Sequence, residues 1–143
     1  MLGLKNADAL SRYDGGSVGR ERLEKRFAEP TLWDAFLRFV DANGFDVPGE
    51  LLERDVTKRV VPSAGFQKVL VDIYRTSPTV TQVCERLIDY DEGMQEWRYR
   101  HVKMVERTIG TKRGTGGSEG AAYLKTTLFQ PVFPDLWAIR TEL

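Results

Sequence analysis

Apolar residues recur at helical spacing through most of this chain, and alternating stretches that build strands are scarce, so the pattern predicts an all-α protein. Pro30 can occupy the first turn of a helix on which Leu32, Phe36 and Phe39 or Val40 recur at steps of four and three; Asn43-Gly44 stops it. A polar, proline-punctuated stretch runs from Asp46 to Pro62. Ser63 then suits the N-cap of a second helix with Phe66, Val69, Leu70 and Ile73 on its buried stripe, and Ser77-Pro78 resets the chain.

The third helix is the long one, from about residue 79 to Gly110. Val80, Val83, Leu87, Tyr90, Met94, Trp97, His101 and Met104 or Val105 line one apolar seam along it. A helix this long takes most of its stability from packing, so the seam needs partners on more than one side, and the rest of the chain supplies few. Two segments break the helical pattern. Tyr13-Asp14-Gly15-Gly16-Ser17 reads as a turn before a helix starting near Val18 or Gly19, and Gly110 to Gly120 holds five glycines among eleven positions. Beyond it, Ala121 to Leu128 reads as a short helix, and Pro131 and Pro134 interrupt the path to a last turn or two at Asp135 to Arg140.

Composition adds less. The 143 residues fit a single domain over 1–143 with one core, and 21 Lys plus Arg against 21 Asp plus Glu leave no net field to recommend nucleic acid or an anionic membrane. One cysteine, Cys84, cannot form an internal disulfide. With no charged-then-apolar leader and no long apolar run, the expectation is a cytoplasmic protein, neither exported nor membrane-spanning. Flanked by Val80 and Leu87, Cys84 reads as an inert core thiol.

Candidate chemistry centres on His101, the only histidine. A lone histidine on an apolar helical face is more often a hydrogen-bonded core residue than a metal ligand, and the absence of a second ligand at suitable spacing argues against zinc. Haem iron needs only one protein ligand, so it escapes that objection. Trp97 and Val105, one turn to either side, would then wall the macrocycle, while Arg98, Arg100, Lys103 and Arg107 are expected mostly on a solvated face. The glycine-rich loop Gly114-Thr115-Gly116-Gly117-Ser118-Glu119-Gly120 lacks the lysine and preceding strand of a P-loop, and Glu119 occupies the last glycine position of GxGxxG. What it offers is adjacent N–H groups and the hydroxyls of Thr115 and Ser118, suited to a carboxylate or an ammonium; a plain connector is the competing reading.

These residues carry a resemblance. Trp97-Arg98-Tyr99-Arg100-His101-Val102-Lys103-Met104-Val105-Glu106-Arg107-Thr108-Ile109-Gly110, then Arg113-Gly114-Thr115-Gly116-Gly117-Ser118, then Phe133-Pro134-Asp135-Leu136-Trp137 and Arg140-Thr141-Glu142-Leu143 resemble the C-terminal part of the tryptophan 2,3-dioxygenase family. Leu2-Gly3-Leu4-Lys5-Asn6 and Pro30-Thr31-Leu32-Trp33-Asp34-Ala35-Phe36-Leu37 extend it upstream. The resemblance implies the C-terminal half of a helical haem-dioxygenase bundle, normally a homotetramer, that converts L-tryptophan and O2 to N-formylkynurenine in tryptophan catabolism. His101 matches the axial ligand of haem b, with Trp97 and Val105 beside it. Thr115 matches the threonine that contacts the substrate ammonium, and Gly114, Gly116, Gly117 and Ser118 the loop that closes over substrate.

The match begins about halfway along the family, so the family's distal histidine, aromatic pocket and carboxylate-pairing arginine have no counterpart here and no catalytic residue is assigned. A companion chain or an N-terminal half is expected to complete the pocket, in a homotetramer-like or hetero-oligomeric assembly; a reduced relative is a third explanation. Uncompleted, the pocket would leave the seam of the long helix open to water. Two rivals stand beside this reading: a related histidine-ligated haem enzyme that hydroxylates an aromatic amino acid, and a non-catalytic helical interaction module.

Overall fold

The computed structural model describes residues 10–11, 13–112 and 120–143, and among them every regular element is helical. Helix α1 (Val18–Ala28) starts where Ser17 caps it, its hydroxyl accepting from the Arg20 amide at 3.3 Å, and buries no residue. Helix α2 (Leu32–Ala42) opens on a capping box: Thr31 Oγ1 accepts from the Asp34 amide, and Asp34 Oδ2 accepts from the Thr31 amide at 2.7 Å. Pro30 therefore precedes the cap instead of entering the first turn, because Thr31 has the side chain that accepts the N3 amide of Asp34 and so sets the N-cap.

The stretch from 46 to 62 contains a single helical turn, α3 (Gly49–Leu52), that its prolines concealed. Ser63 caps α4 (Ala64–Thr76) as expected, accepting from the Phe66 amide, and Ser77 with Pro78 at the first position opens α5 (Pro78–Ile109). Gly110, at φ +60°, ends α5 in a conformation closed to most residues with a Cβ. Helix α6 (Ala121–Lys125) stops three residues short of the expected Leu128, and α7 (Pro134–Ala138) leads into a 3-10 turn at Ile139–Thr141. Among the described residues no helix is long and apolar enough to cross a membrane.

Four aromatic rings knit the core. Trp33 and Phe36 of α2, Phe66 of α4 and Phe133 meet at centroid distances from 5.5 to 6.1 Å, with Trp33 edge-on to Phe66. Leu37, Val40, Leu70, Ile73, Leu136 and Ile139 close around them. Each such side chain contributes about 1.5–3 kcal/mol on burial. Helix α5 reaches this core only through its first half, with Val80, Cys84 and Ile88. Cys84 is fully buried, and burial, helped by the neighbouring Glu85 charge, pushes its thiol up to about 12, so it is inert in the native state.

The buried stripe of α5 is not the seam that periodicity picks out. Val80, Cys84, Ile88, Asp91, Arg98 and Val102 are buried, whereas Tyr90, Trp97 and Met104 lie 47%, 57% and 55% exposed. With about 100° per residue, the buried stripe is centred roughly a quarter turn from the seam. Counting apolar residues misplaces it because two of its members are charged. Arg98, expected among the solvated cations, is 4% exposed; Arg100 and Lys103 do face solvent, paired with Glu96 and Glu106.

The C-terminal segment fastens along that charged stripe in reverse order. Lys125 Nζ lies 2.6 Å from Glu106 Oε1, Arg98 Nη1 donates to the Gln130 carbonyl at 2.5 Å, and Asp91 accepts from the amides of Val132 and Phe133. Further along, Arg140 donates to both Glu85 and the Tyr74 hydroxyl, closing the end of the chain onto α4 and α5.

Candidate functional site

His101 projects from the second half of α5, beyond the core, on the seam that the rest of the described chain leaves largely open. Trp97, one turn earlier, stacks on it: the ring centroids are 5.2 Å apart and the planes differ by 3°. Val105, one turn later, is half-buried, as is His101 itself. Among the described residues the imidazole nitrogens make no hydrogen bond; the stack with Trp97 is their ring's only specific contact. A core histidine satisfied by a carbonyl or carboxylate would look different.

Among the described residues no three of His, Cys, Asp and Glu converge as metal ligands. What the site offers is one imidazole, its nitrogens without a hydrogen-bond partner among the described residues, on an apolar, half-open surface. That donor set fits a flat apolar group that brings the iron's remaining ligands itself, which is what haem does. The Trp97 indole lies parallel to the imidazole, so one of its faces is turned toward that ring.

The seam continues to the other end of α5. There Val83 and Leu87 meet Leu32, Ala35, Phe36 and Phe39 of α2 around an open apolar groove of about 170 Å³. The opposite flank of α5 bears Arg100, Lys103 and Arg107 beside Tyr99 and Met104, a shallow depression of about 540 Å³ without converging functional groups.

The loop residues Gly114, Thr115, Gly116, Gly117 and Ser118 lie outside the described residues. Their flanks are in place. Gly110 and Gly120, at φ +60° and +63°, bracket the segment, one at the end of the His101 helix itself and the other at the start of α6, which packs on that helix. Sequence reasoning missed Asp91 and Arg98, whose bonds hold the returning chain beside the seam. The available signal was their spacing, which sets both charges on one face of α5 among Cys84, Ile88 and Val102.

Comparison with known proteins settles the family. The family model described as Tryptophan 2,3-dioxygenase matches residues 22–143. This chain belongs to the tryptophan 2,3-dioxygenase family. It is 55% identical over 143 residues to the tryptophan 2,3-dioxygenase of Herpetosiphon aurantiacus, covering 100% of this chain and 54% of that protein. The corresponding protein of Anaeromyxobacter sp. (strain K) is 52% identical with the same coverage, and that of Kineococcus radiotolerans is 45% identical over 99% of this chain and 51% of its own length. The chain thus spans about half the length of the tryptophan 2,3-dioxygenases it matches. Its helical architecture agrees with the all-α expectation.

Proposed function

We propose that this chain forms the proximal side of a haem-dependent tryptophan 2,3-dioxygenase, which converts L-tryptophan and O2 to N-formylkynurenine in the cytoplasm. The observation that carries the reading is His101: a half-buried imidazole, without a hydrogen-bond partner among the described residues, on an apolar seam that the rest of the described chain leaves largely open. In this reading His101 holds the iron of haem b through one ring nitrogen while the other carries the proton, with Trp97 and Val105 flanking it. Haem, when bound, supplies the redox chemistry with O2.

The chain's own contribution to the substrate is the segment Gly114–Ser118. The Thr115 hydroxyl takes the ammonium group, and the backbone N–H groups of Gly114, Gly116, Gly117 and Ser118 orient the amino-acid end while excluding water from the indole. The groups that open the pocket toward O2 and pair the substrate carboxylate come from sequence outside these 143 residues, on the same or a companion polypeptide, in a homotetramer-like or hetero-oligomeric assembly. The uncovered seam, including the apolar groove at Val83 and Leu87, supports that arrangement.

The test is spectroscopic. The purified assembly reconstituted with haem is expected to show a Soret band that disappears in His101→Ala and returns when imidazole is added to His101→Gly. No Soret band in the wild type would favour the helical interaction module, and a band unchanged in His101→Ala would move the ligand elsewhere.

A further inference from the structure

We propose that Trp97 is a positioning residue that fixes the plane of the His101 imidazole; the inference rests on His101 being the haem ligand. The terminal torsion of a histidine side chain is broad, so the ring plane is set by what touches it and not by the backbone. Metal-binding histidines commonly have that plane set by a hydrogen bond from the second ring nitrogen. Among the described residues His101 has no such partner, and the parallel indole at 5.2 Å takes over the task.

Two features separate this from ordinary packing. Trp97 is 57% exposed and belongs to no part of the buried core, so its indole is not placed there to fill the interior. The 3° angle between the rings also makes this a parallel stack, in contrast to the tilted and edge-on contacts among Trp33, Phe36, Phe66 and Phe133. Spacing of four residues on α5 brings the two rings onto one face, and the electron-rich indole favours an imidazole polarised by a cation on its nitrogen. Rotating the imidazole out of this plane breaks the stack.

The experiment uses the full polypeptide that carries this sequence and two variants, Trp97→Leu and Trp97→Phe. In the haem-free protein the His101 Hε1 proton resonance, assigned by its loss in His101→Gln, is expected upfield of a free imidazole. It should return downfield in Trp97→Leu and stay displaced in Trp97→Phe. In the haem-loaded ferrous protein the iron–histidine stretching band should shift or broaden in Trp97→Leu and recover in Trp97→Phe, with the Soret band kept in both. A wild-type Hε1 resonance without displacement, or a stretching band that does not respond to Trp97→Leu, overturns the positioning role. A wild type without any haem spectrum instead overturns the ligand reading on which the role depends, and the two failures are read from different signals.

Discussion

The carboxylate of Asp91 accepts the indole N–H of Trp137 at 3.0 Å, joining the middle of the histidine-bearing helix to a side chain 46 residues later. The same carboxylate takes the amides of Val132 at 2.9 Å and Phe133 at 3.1 Å, and Asp91 is fully buried. A buried carboxylate with three N–H donors is satisfied, and it organises the returning chain around one point.

Asp91→Ala is therefore expected to remove about 3–5 kcal/mol of stability, because three donors, one of them fully buried, lose their acceptor together. Asp91→Asn should cost less, since an amide oxygen still accepts while its NH2 faces the remaining donors. Urea unfolding of both variants checks the order. Equal losses, or a loss of only a few tenths of a kcal/mol, would show that the contacts do not tie the segment down.

Arg98 makes a related prediction about the same segment. Burial lowers the guanidinium pKa and the Asp91 charge raises it, and its bonds go to the carbonyls of Gln130 and Thr127. Its Nε is buried without a hydrogen-bond partner among the described residues. Arg98→Met keeps much of the packing and leaves those carbonyls unpaired, at about 1–3 kcal/mol. Because Asp91 and Arg98 share a buried environment, the loss in the double variant Asp91→Asn/Arg98→Met should differ from the sum of the single losses. Hydrogen exchange of amides 121–133 should quicken in Arg98→Met; unaltered exchange there would leave the anchoring role unsupported.

How much of this was readable in the chain follows from range. Ser63, Pro78 and Gly110 mark helix ends through contacts a few residues away, so the sequence alone locates α4 and α5 well. Asp91 and Arg98 find their partners more than 25 residues later, and a pattern of apolar positions counts both as solvent-facing. That is why periodicity puts the buried stripe of α5 a quarter turn from its place. At the site, His101 stood out because it is the only histidine in a family-like block. The parallel setting of Trp97 against His101 depends on side-chain torsions that spacing does not fix, so the sequence does not show it.

Two buried carboxylates should make opposite contributions to stability against pH. Burial alone would raise the Asp34 pKa, but hydrogen bonds from Arg54 and Thr31 outweigh it and leave the group below its ordinary 3.8. Its contribution is present above the unfolded-state value, about 3.9, and is lost as pH falls through the folded value. For Asp135, burial outweighs the bonds from Gln67 and Ser63 and raises the pKa, so the folded state holds the proton more tightly. Its contribution is greatest below the unfolded value and declines as pH rises through the folded one. Asp34→Asn should lose about 3 kcal/mol at neutral pH, where it strands the half-buried Arg54, and less in acid. Asp135→Asn should instead gain on the wild type as pH rises above the unfolded-state value, about 3.9, because the charged carboxylate is the form that burial disfavours. Unfolding measured across that range distinguishes them, and parallel pH profiles for the two variants would contradict both assignments.

Thr115 allows a prediction that separates substrate from cofactor. In the proposed site its hydroxyl accepts from the substrate ammonium and makes no contact with iron, so Thr115→Ala should leave the Soret band at its wild-type intensity. A hydrogen bond to a charged group is worth about 1.5–3 kcal/mol, which corresponds to a KM for L-tryptophan raised roughly ten- to a hundredfold. Thr115→Ser keeps the hydroxyl and should recover most of that loss. A fall in haem content would place Thr115 on the cofactor side, and an unchanged KM and kcat would remove it from the site.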